Sequence, residues 1–398
     1  MTRARGARAT SRRVPHLADG VIVLRPWAVD DAPALMAACR EPEIGRWCAL
    51  PSPYSYGHAM AWIGDTAKAW SEGRDAHFAI DDAATGEVVG AIDLVGVDPA
   101  EAHGRLRYWV RAARRRKGVA RRALTLLSAW AVDELALERL EVCEAVGNVG
   151  PQRVAEAAGF RPEALYRSYR RFGMHRTDYL LYALPMPSWQ VGPDWIDGIR
   201  EAQDAAVAER PAGGEVALPA EPPVLEGAGL RLRPYRADDL PTLAAAIDEE
   251  TARWLTRVPW PYTDEDGRRF LDFAARSWAD HQAHFAVADA GSDALLGGLN
   301  VDIDLPHAVG EVGYRVNPEA RGRGIAPRAV GLVADWAFGS LRLARLDLGA
   351  DTRNLGSLRV AAKAGFRREG TLHGLVRRGD ERSADAIFSL LPTDPRPR

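Results

Sequence analysis

The chain has 398 residues, of which 47% are hydrophobic and 27% charged, and its net charge is −2. That is a globular composition with length for two domains, and it lacks the basic excess of a general nucleic-acid binder. No apolar run approaches the roughly 18 residues of a membrane span, and Cys39, Cys48 and Cys143 have no metal-ligand spacing, so they read as reduced cysteines of a cytoplasmic protein with no metal centre.

In chain order, Met1–Arg13 carries five arginines and no acid. Without an apolar stretch behind it, it does not read as a secretory signal. A disordered arm or a misplaced start is expected, with a nucleic-acid or ribosome-contacting tail as the alternative. Landmarks of a first domain follow: Leu24-Arg25-Pro26-Trp27, Trp47 and His77-Phe78-Ala79. Residues 188–224 are rich in Pro, Gly, Ala and Glu; Trp189–Ala206 could form a short helix, and Pro211–Pro223 a flexible linker.

The second half is punctuated more clearly. Gly229–Tyr235 alternates as a half-buried strand does. Ala237-Asp238-Asp239 opens a helix to about Asp248, and Thr263 caps a second one through Trp278, with an acidic first turn. His284–Ala288 and Ala294–Ile303 form a hairpin, and Val309–Val316 is another strand. A helix runs from Ile325 to Leu341, with Pro327 in its first turn. Arg345–Gly349 is a strand, Asn354–Ala364 a helix stopped by Gly365, and Phe366–Gly374 and Ala384–Leu391 close the domain.

These landmarks repeat. Residues 105–163 align with 311–369 without gaps, and 24 of 59 positions are identical, among them Gly118/Gly324, Trp130/Trp336, Asn148/Asn354 and Ala158-Gly159-Phe160/Ala364-Gly365-Phe366. A period of about two hundred residues is that of a domain plus linker rather than a solenoid repeat. The expected organisation is a domain over 1–187, a linker over 188–224 and a second domain over 225–398. The halves differ in charge: 26 Lys/Arg against 22 Asp/Glu in residues 1–187, and 26 against 32 in residues 188–398. The acidic half is the better host for a cationic substrate.

Between a strand and a long helix lies Arg321-Gly322-Arg323-Gly324-Ile325-Ala326. Glycines there let successive N–H groups point into one concavity, and the helix N-terminus adds partial positive charge, which together suit a diphosphate. A dinucleotide fingerprint is excluded because Pro327 stands where its last glycine belongs, and a P-loop because no Gly-Lys-Ser/Thr follows. A solvated basic turn is the plainer alternative.

Arg-x-x-Gly-x-Ala after a strand and opening a helix resembles the acetyl-CoA loop of GNAT N-acetyltransferases. Leu232-Arg233-Pro234, Glu311-Val312-Gly313-Tyr314, Asn354-x-x-Ser357 and Ala364–Gly370 resemble, in order, the ribosomal-protein alanine acetyltransferases of the RimJ/RimL type. The resemblance covers nearly all of 229–391 and, more loosely, 21–184. It implies two tandem GNAT-like domains of α/β class, each a mixed, mostly antiparallel sheet flanked by helices. It also implies an acetyl-CoA-dependent N-acetyltransferase. The acceptor it favours is a protein N-terminal α-amine. A small-molecule amine, such as an aminoglycoside or polyamine, is the alternative, and a non-catalytic acyl-CoA sensor or scaffold the alternative of another class.

Acetyl transfer to an amine needs a base for the ammonium proton and donors for the thioester oxygen and leaving thiolate. By the resemblance, backbone near Val316 holds the pantetheine arm. Arg321, Gly322, Arg323, Gly324, Ile325 and Ala326 hold the diphosphate, Glu311 is the base, Asn354 bonds the pantetheine amide, and Ser357 serves the sulfur. Glu311 as a solvent-facing strand carboxylate, and Asn354 as a plain helix cap, are the simpler readings. The first copy departs: its loop is Arg116, Lys117, Gly118, Val119 and Ala120 after Arg115, Arg105 replaces Glu311, and Pro151 replaces Ser357, while Asn148 remains. It is expected to bind acetyl-CoA at most, without catalysis. His77/His284 read as structural strand-start histidines, with a general base as the alternative.

Overall fold

The computed structural model describes residues 14–48, 50–172, 175–187, 189, 210–211, 216, 218–255, 258–378 and 381–396. The arginine-rich start and the helix expected over Trp189–Ala206 therefore lie largely or wholly outside the described residues. Contacts group the chain into two compact units. One is Met1–Glu163, Leu180–Asp197 and Gly374–Arg377, the other Ala164–Tyr179, Gly198–His373 and Arg378–Arg398. The grouping is discontinuous at both closing hairpins, which a boundary drawn along the sequence cannot express.

The first copy runs β1 (Ile22–Pro26), α1 (Ala32–Cys39), α2 (Pro42–Trp47), α3 (Tyr56–Ser71), β2 (Ala76–Asp82), β3 (Val88–Asp98), β4 (His103–Val110), α4 (Val119–Asp133), β5 (Arg139–Ala145), α5 (Val149–Ala157), β6 (Arg161–Phe172) and β7 (His175–Ala183). The second repeats it as β8 (Leu230–Arg233), α6 (Leu240–Ala245), α7 (Glu249–Trp254), α8 (Asp264–Arg276), β9 (Gln282–Asp289), β10 (Leu295–Asp304), β11 (Val309–Val316), α9 (Ile325–Gly339), β12 (Arg345–Asp351), α10 (Leu355–Lys363), β13 (Arg367–Arg378) and β14 (Glu381–Leu390).

The helix expected from Ala237 to Asp248 is broken. A 3-10 turn (Ala237–Asp239) leads into the short α6, and the chain restarts as α7, where the Asp248 carboxylate accepts from Thr251 N at 2.8 Å. An aspartate at that point caps a new helix better than it continues an old one. The helix at Asp264 starts as its sequence predicts: Thr263 Oγ1 accepts from Asp266 N at 3.2 Å, and Asp266 accepts from Thr263 N at 3.0 Å.

In the second copy β8, β9, β10 and β11 pair antiparallel in that order. One face of this sheet carries Phe285, Leu299, Val301, Val312, Leu346 and Leu348, all buried with Val330, Val333 and Ala337 of α9. Each such aliphatic contributes roughly 1.5–3 kcal/mol when fully buried. Strand alternation puts His284, Asn300, Asp302 and Glu311 on the opposite face. Strands β11 and β12 are parallel and pair at three positions, Val309↔Arg345, Gly310↔Leu346 and Glu311↔Asp347. Beyond Glu311 they part, while β11 continues to Val316. The first copy does the same: β4 and β5 pair from His103↔Arg139 to Leu106↔Val142, and β4 continues to Val110. Each copy thus has a wedge-shaped gap in the middle of its sheet.

Candidate active site

The loop at the wide end of this gap is built from left-handed backbone. Gly322 and Gly324 have φ of 76° and 70°, and a Cβ on either would meet nothing within 4 Å, so the cradle they form is open. Gly324 is the N-cap of α9, whose first turn points its N–H groups into that opening. A diphosphate fits this geometry.

The two arginines divide the work. Arg321 turns away from the cradle: its guanidinium bonds Asp248 at 2.9 Å, Glu250 at 2.8 Å and Thr251 Oγ1 at 2.6 Å, bracing the loop against α7. What it offers a phosphate is backbone rather than charge. Arg323 is exposed. Arg328 donates to the carbonyls of Gly324 at 3.1 Å and Ala228, which fixes the loop from below. Ile325 and Ala326 are buried beneath it, and Val316 ends β11 at the gap.

The loop of the first copy keeps this shape although its sequence changes. Gly118 has φ of 77°, and Arg116, which stands at the position of Gly322, takes φ of 60°. A non-glycine residue there costs roughly 1–2 kcal/mol, so surrounding structure enforces the turn. The brace is weaker: Arg115 lies 3.9 Å from Glu41, the counterpart of Asp248, and Ala112 N donates to Glu41 at 2.8 Å. Arg116, Lys117 and Gly118 are exposed, Val119 is buried and Ala120 half-buried.

Across the gap sits the start of α10. Asn354 is its N-cap and accepts from Ser357 N at 3.1 Å. The Tyr314 hydroxyl donates to the Ser357 carbonyl at 3.3 Å, so one tyrosine ties the two walls of the gap together. In the first copy Tyr108 donates to the Pro151 carbonyl at 2.8 Å, but Asn148 makes no cap hydrogen bond. The sequence reading gave this tyrosine no role in holding the gap, although it is one of the identities between the copies.

At the apex the copies diverge. Glu311 is exposed and stands directly opposite Asp347 in the parallel register. Arg345, fully buried, donates to Asp347 at 2.5 Å and to both oxygens of Glu369 at 2.8 and 2.5 Å. In the first copy Arg105 takes the place of Glu311 and bonds Glu141 at 3.3 Å, while the buried Arg139 bonds Glu141 at 2.8 Å and Glu163 at 2.7 Å. Burial opposes ionisation of Glu141, yet Arg139 and its neighbours hold the carboxyl well below its ordinary value. Burial pushes Asp347 up to about 7; Arg345 opposes this, and Glu369 and Glu311 add to it.

His284 packs edge-on against Phe270 and Phe273, with ring centroids 5.9 and 5.1 Å away. Burial lowers its pKa, against the pull of Asp302. His77 instead bonds Asp93 at 2.9 Å.

A family model described as an acetyltransferase (GNAT) domain matches residues 22–161 and again 229–367. The chain belongs to the GNAT acetyltransferase family. Its fold class and acyl donor, acetyl-CoA, are those of that family. Among curated proteins, the "Probable N-acetyltransferase YjcK" of Bacillus subtilis is 38% identical over 136 residues, 33% of this chain and 75% of that protein. The spermidine N(1)-acetyltransferase of Escherichia coli is 35% identical over 104 residues, 26% of this chain and 55% of that protein. Among solved structures, Mycobacterium smegmatis RimJ in complex with CoA-disulfide is 24% identical with a TM-score of 0.40, covering 43% of this chain and 85% of that one.

Of the residues singled out from the sequence, the second GNAT copy brings Val316, Gly322–Ala326, Asn354 and Ser357 to one gap and puts Glu311 at its apex. It also adds Tyr314, Asp347, Arg345 and Glu369. The internal duplication carried a signal for three of these: Tyr108/Tyr314, Arg139/Arg345 and Glu163/Glu369 are identical between the copies. Among the described residues no group of His, Cys, Asp or Glu is placed to hold a metal ion, and no helix is long and apolar enough to cross a membrane.

Proposed function

We propose that the second copy is the catalytic one and acetylates a cationic primary amine, with Glu311 as general base, Ser357 serving the thiolate, and the first copy as a non-catalytic partner that retains a CoA cradle. The observation that supports this is the position of Glu311. It is the last residue of β11 still paired with β12, at the point where the gap begins. The first copy, with the same backbone, offers Arg105, which cannot accept a proton at neutral pH because its pKa stays above about 12.

Acetyl-CoA would lie with its acetyl group in the gap and its diphosphate on Gly322–Ala326. Glu311 takes a proton from the ammonium group, and the free amine attacks the thioester carbon. The C–S bond breaks as the C–N bond forms, and the nitrogen's second proton goes to the departing thiolate, which leaves as CoA thiol. The acceptor favoured by the ordered series of motifs is a protein N-terminal α-amine. A polyamine is the second reading. Asp302 and Glu311 face the same side of the sheet, with Asp347 opposite Glu311, a setting for an extended cation, and a spermidine acetyltransferase is among the relatives. Thiol release from acetyl-CoA, measured with spermidine and with peptides bearing free N-terminal alanine or serine, separates the two. Turnover of neither, by protein that binds CoA, would return the chain to the sensor reading.

A further inference from the structure

Along the parted stretch of β11, successive side chains point to opposite faces of the sheet. One face is closed by α9, against which Val312, Tyr314 and Val316 pack. An acceptor therefore reaches the gap from the other face, which carries Glu311, Gly313 and Arg315.

Arg315 is half-buried, and its guanidinium is only partly engaged. Nη1 donates to Asn317 Oδ1 at 2.9 Å. Asn317 is itself fixed, being fully buried and donating to the Leu295 carbonyl at 2.8 Å. Nε and the Tyr235 hydroxyl sit together above Gly298: a Cβ there would strike the hydroxyl and come within 3.5 Å of Nε. Nη2 is shielded from water and has no hydrogen-bond partner among the described residues. Leaving a charged donor unsatisfied is costly, so Nη2 calls for an acceptor atom that the chain does not supply.

The first copy shows that the fold does not require this arginine. At the positions of Tyr235 and Arg315 it has Trp27 and Trp109, both packed into one apolar cluster with Leu35, Tyr54 and Ile63. Two tryptophans fill the same place on the sheet without a charge. The second copy has exchanged both for polar side chains that sit together, on the open face of the gap.

We propose, on the basis of the catalytic reading above, that Arg315 is a specificity-determining residue whose Nη2 binds a carbonyl or carboxylate oxygen of the acceptor close to its reacting amine. The acceptor class is then an amine with such an oxygen, as in a peptide N-terminus or an amino acid, and not a polyamine. Tyr235 and Asn317 are positioning residues for the guanidinium. Arg315 keeps partial exposure, so a turn about its outer torsions brings Nη2 to a bound acceptor. It lies four residues beyond Glu311 on the same face, roughly 13 Å along the strand. With the reach of both side chains allowed for, the first one or two residues of a peptide cover that span.

The experiment uses the full chain with acetyl-CoA and four acceptors: an alanine-terminated tripeptide, free alanine, isopropylamine and spermidine. The tripeptide and free alanine separate a peptide carbonyl from a carboxylate as the oxygen bound. In Arg315→Met the kcat/KM ratio of the preferred oxygen-bearing acceptor to isopropylamine should fall roughly 10–100-fold, the worth of one hydrogen bond from a charged donor. Arg315→Lys, which keeps the charge but not the fork, should recover part of the ratio. A structural role, or service to acetyl-CoA, would lower all acceptors alike and leave the ratio unmoved, and that result overturns the proposal. So does turnover of isopropylamine and spermidine alone. In parallel, 15N NMR of arginine side chains with CoA present should show a signal that is lost in Arg315→Met. That signal should shift on adding the tripeptide or alanine and stay in place with isopropylamine. This arm needs no turnover, and a signal that moves with neither oxygen-bearing compound also overturns the proposal. Failure of the catalytic reading looks different: Gly324→Glu would then retain turnover of every acceptor, whatever Arg315 does.

Discussion

The two halves of this chain share a backbone and disagree at its chemically sensitive points. In both, a strand pair parts to open a gap, a tyrosine bonds across it, and a loop with left-handed residues caps a long helix. What differs is which charges face each other at the apex and whether the helix beyond the gap is capped. Fold persists through such changes because it rests on apolar burial and backbone pairing. Catalysis rests on single functional groups, which is where the two copies differ. Arg116 illustrates the first point: an arginine adopts the turn made for a glycine because everything around it still demands that turn.

Matched lesions should separate the halves most sharply at the loop. Gly324→Glu sets a like-charged side chain into the cradle at φ 70° and should abolish CoA binding to the second copy and all acetyl transfer. Gly118→Glu should leave most transfer intact. Calorimetry with CoA beside steady-state rates checks both, and equal losses in folded protein would make the first copy catalytic by groups other than Arg105 and Pro151.

Next in size is Glu311→Gln. Turnover should fall by roughly 10²–10⁴ with CoA affinity unchanged, and the deficit should shrink at high pH, where the amine deprotonates unaided. A fall of less than about threefold would leave Glu311 a bystander.

A smaller difference is expected at the second helix of each gap. Asn354→Ala removes a cap hydrogen bond that Asn148 does not make, so it should cost about 1 kcal/mol of stability and weaken CoA binding. Asn148→Ala should cost less. Thermal unfolding of the two variants measures the contrast.

The smallest effect is a pH slope. Folding raises the Asp347 carboxyl from 3.8 to about 7, so the folded protein holds a proton that the unfolded chain releases. Its contribution is fully present below about pH 4 and lost as pH rises through 7. Glu141 is lowered, so its contribution is present above the usual carboxylate range and lost as pH falls. The Tm of Asp347→Asn should therefore decline less than that of the wild type between about pH 5 and 8, and differential scanning calorimetry across that range decides it.

The sequence by itself determined the duplication, the α/β class, the family and the glycine loop. Each of these is written in local pattern: apolar periodicity, turn residues and repeated motifs at fixed spacing. It also exposed the asymmetry between Glu311 and Arg105, because aligned copies can be compared residue by residue. It misjudged the helix after Asp239, where a capping aspartate restarts the chain, and it did not anticipate that the Arg321 guanidinium braces α7. Only the tertiary structure decided that Glu311 faces Asp347, that Arg345 is buried between Asp347 and Glu369, and that Tyr314 spans the gap. Those partners lie 36, 24 and 43 residues apart in the chain. No local pattern records such pairings. They follow from strand register and from where the sheet opens, and both are set by packing of the whole domain.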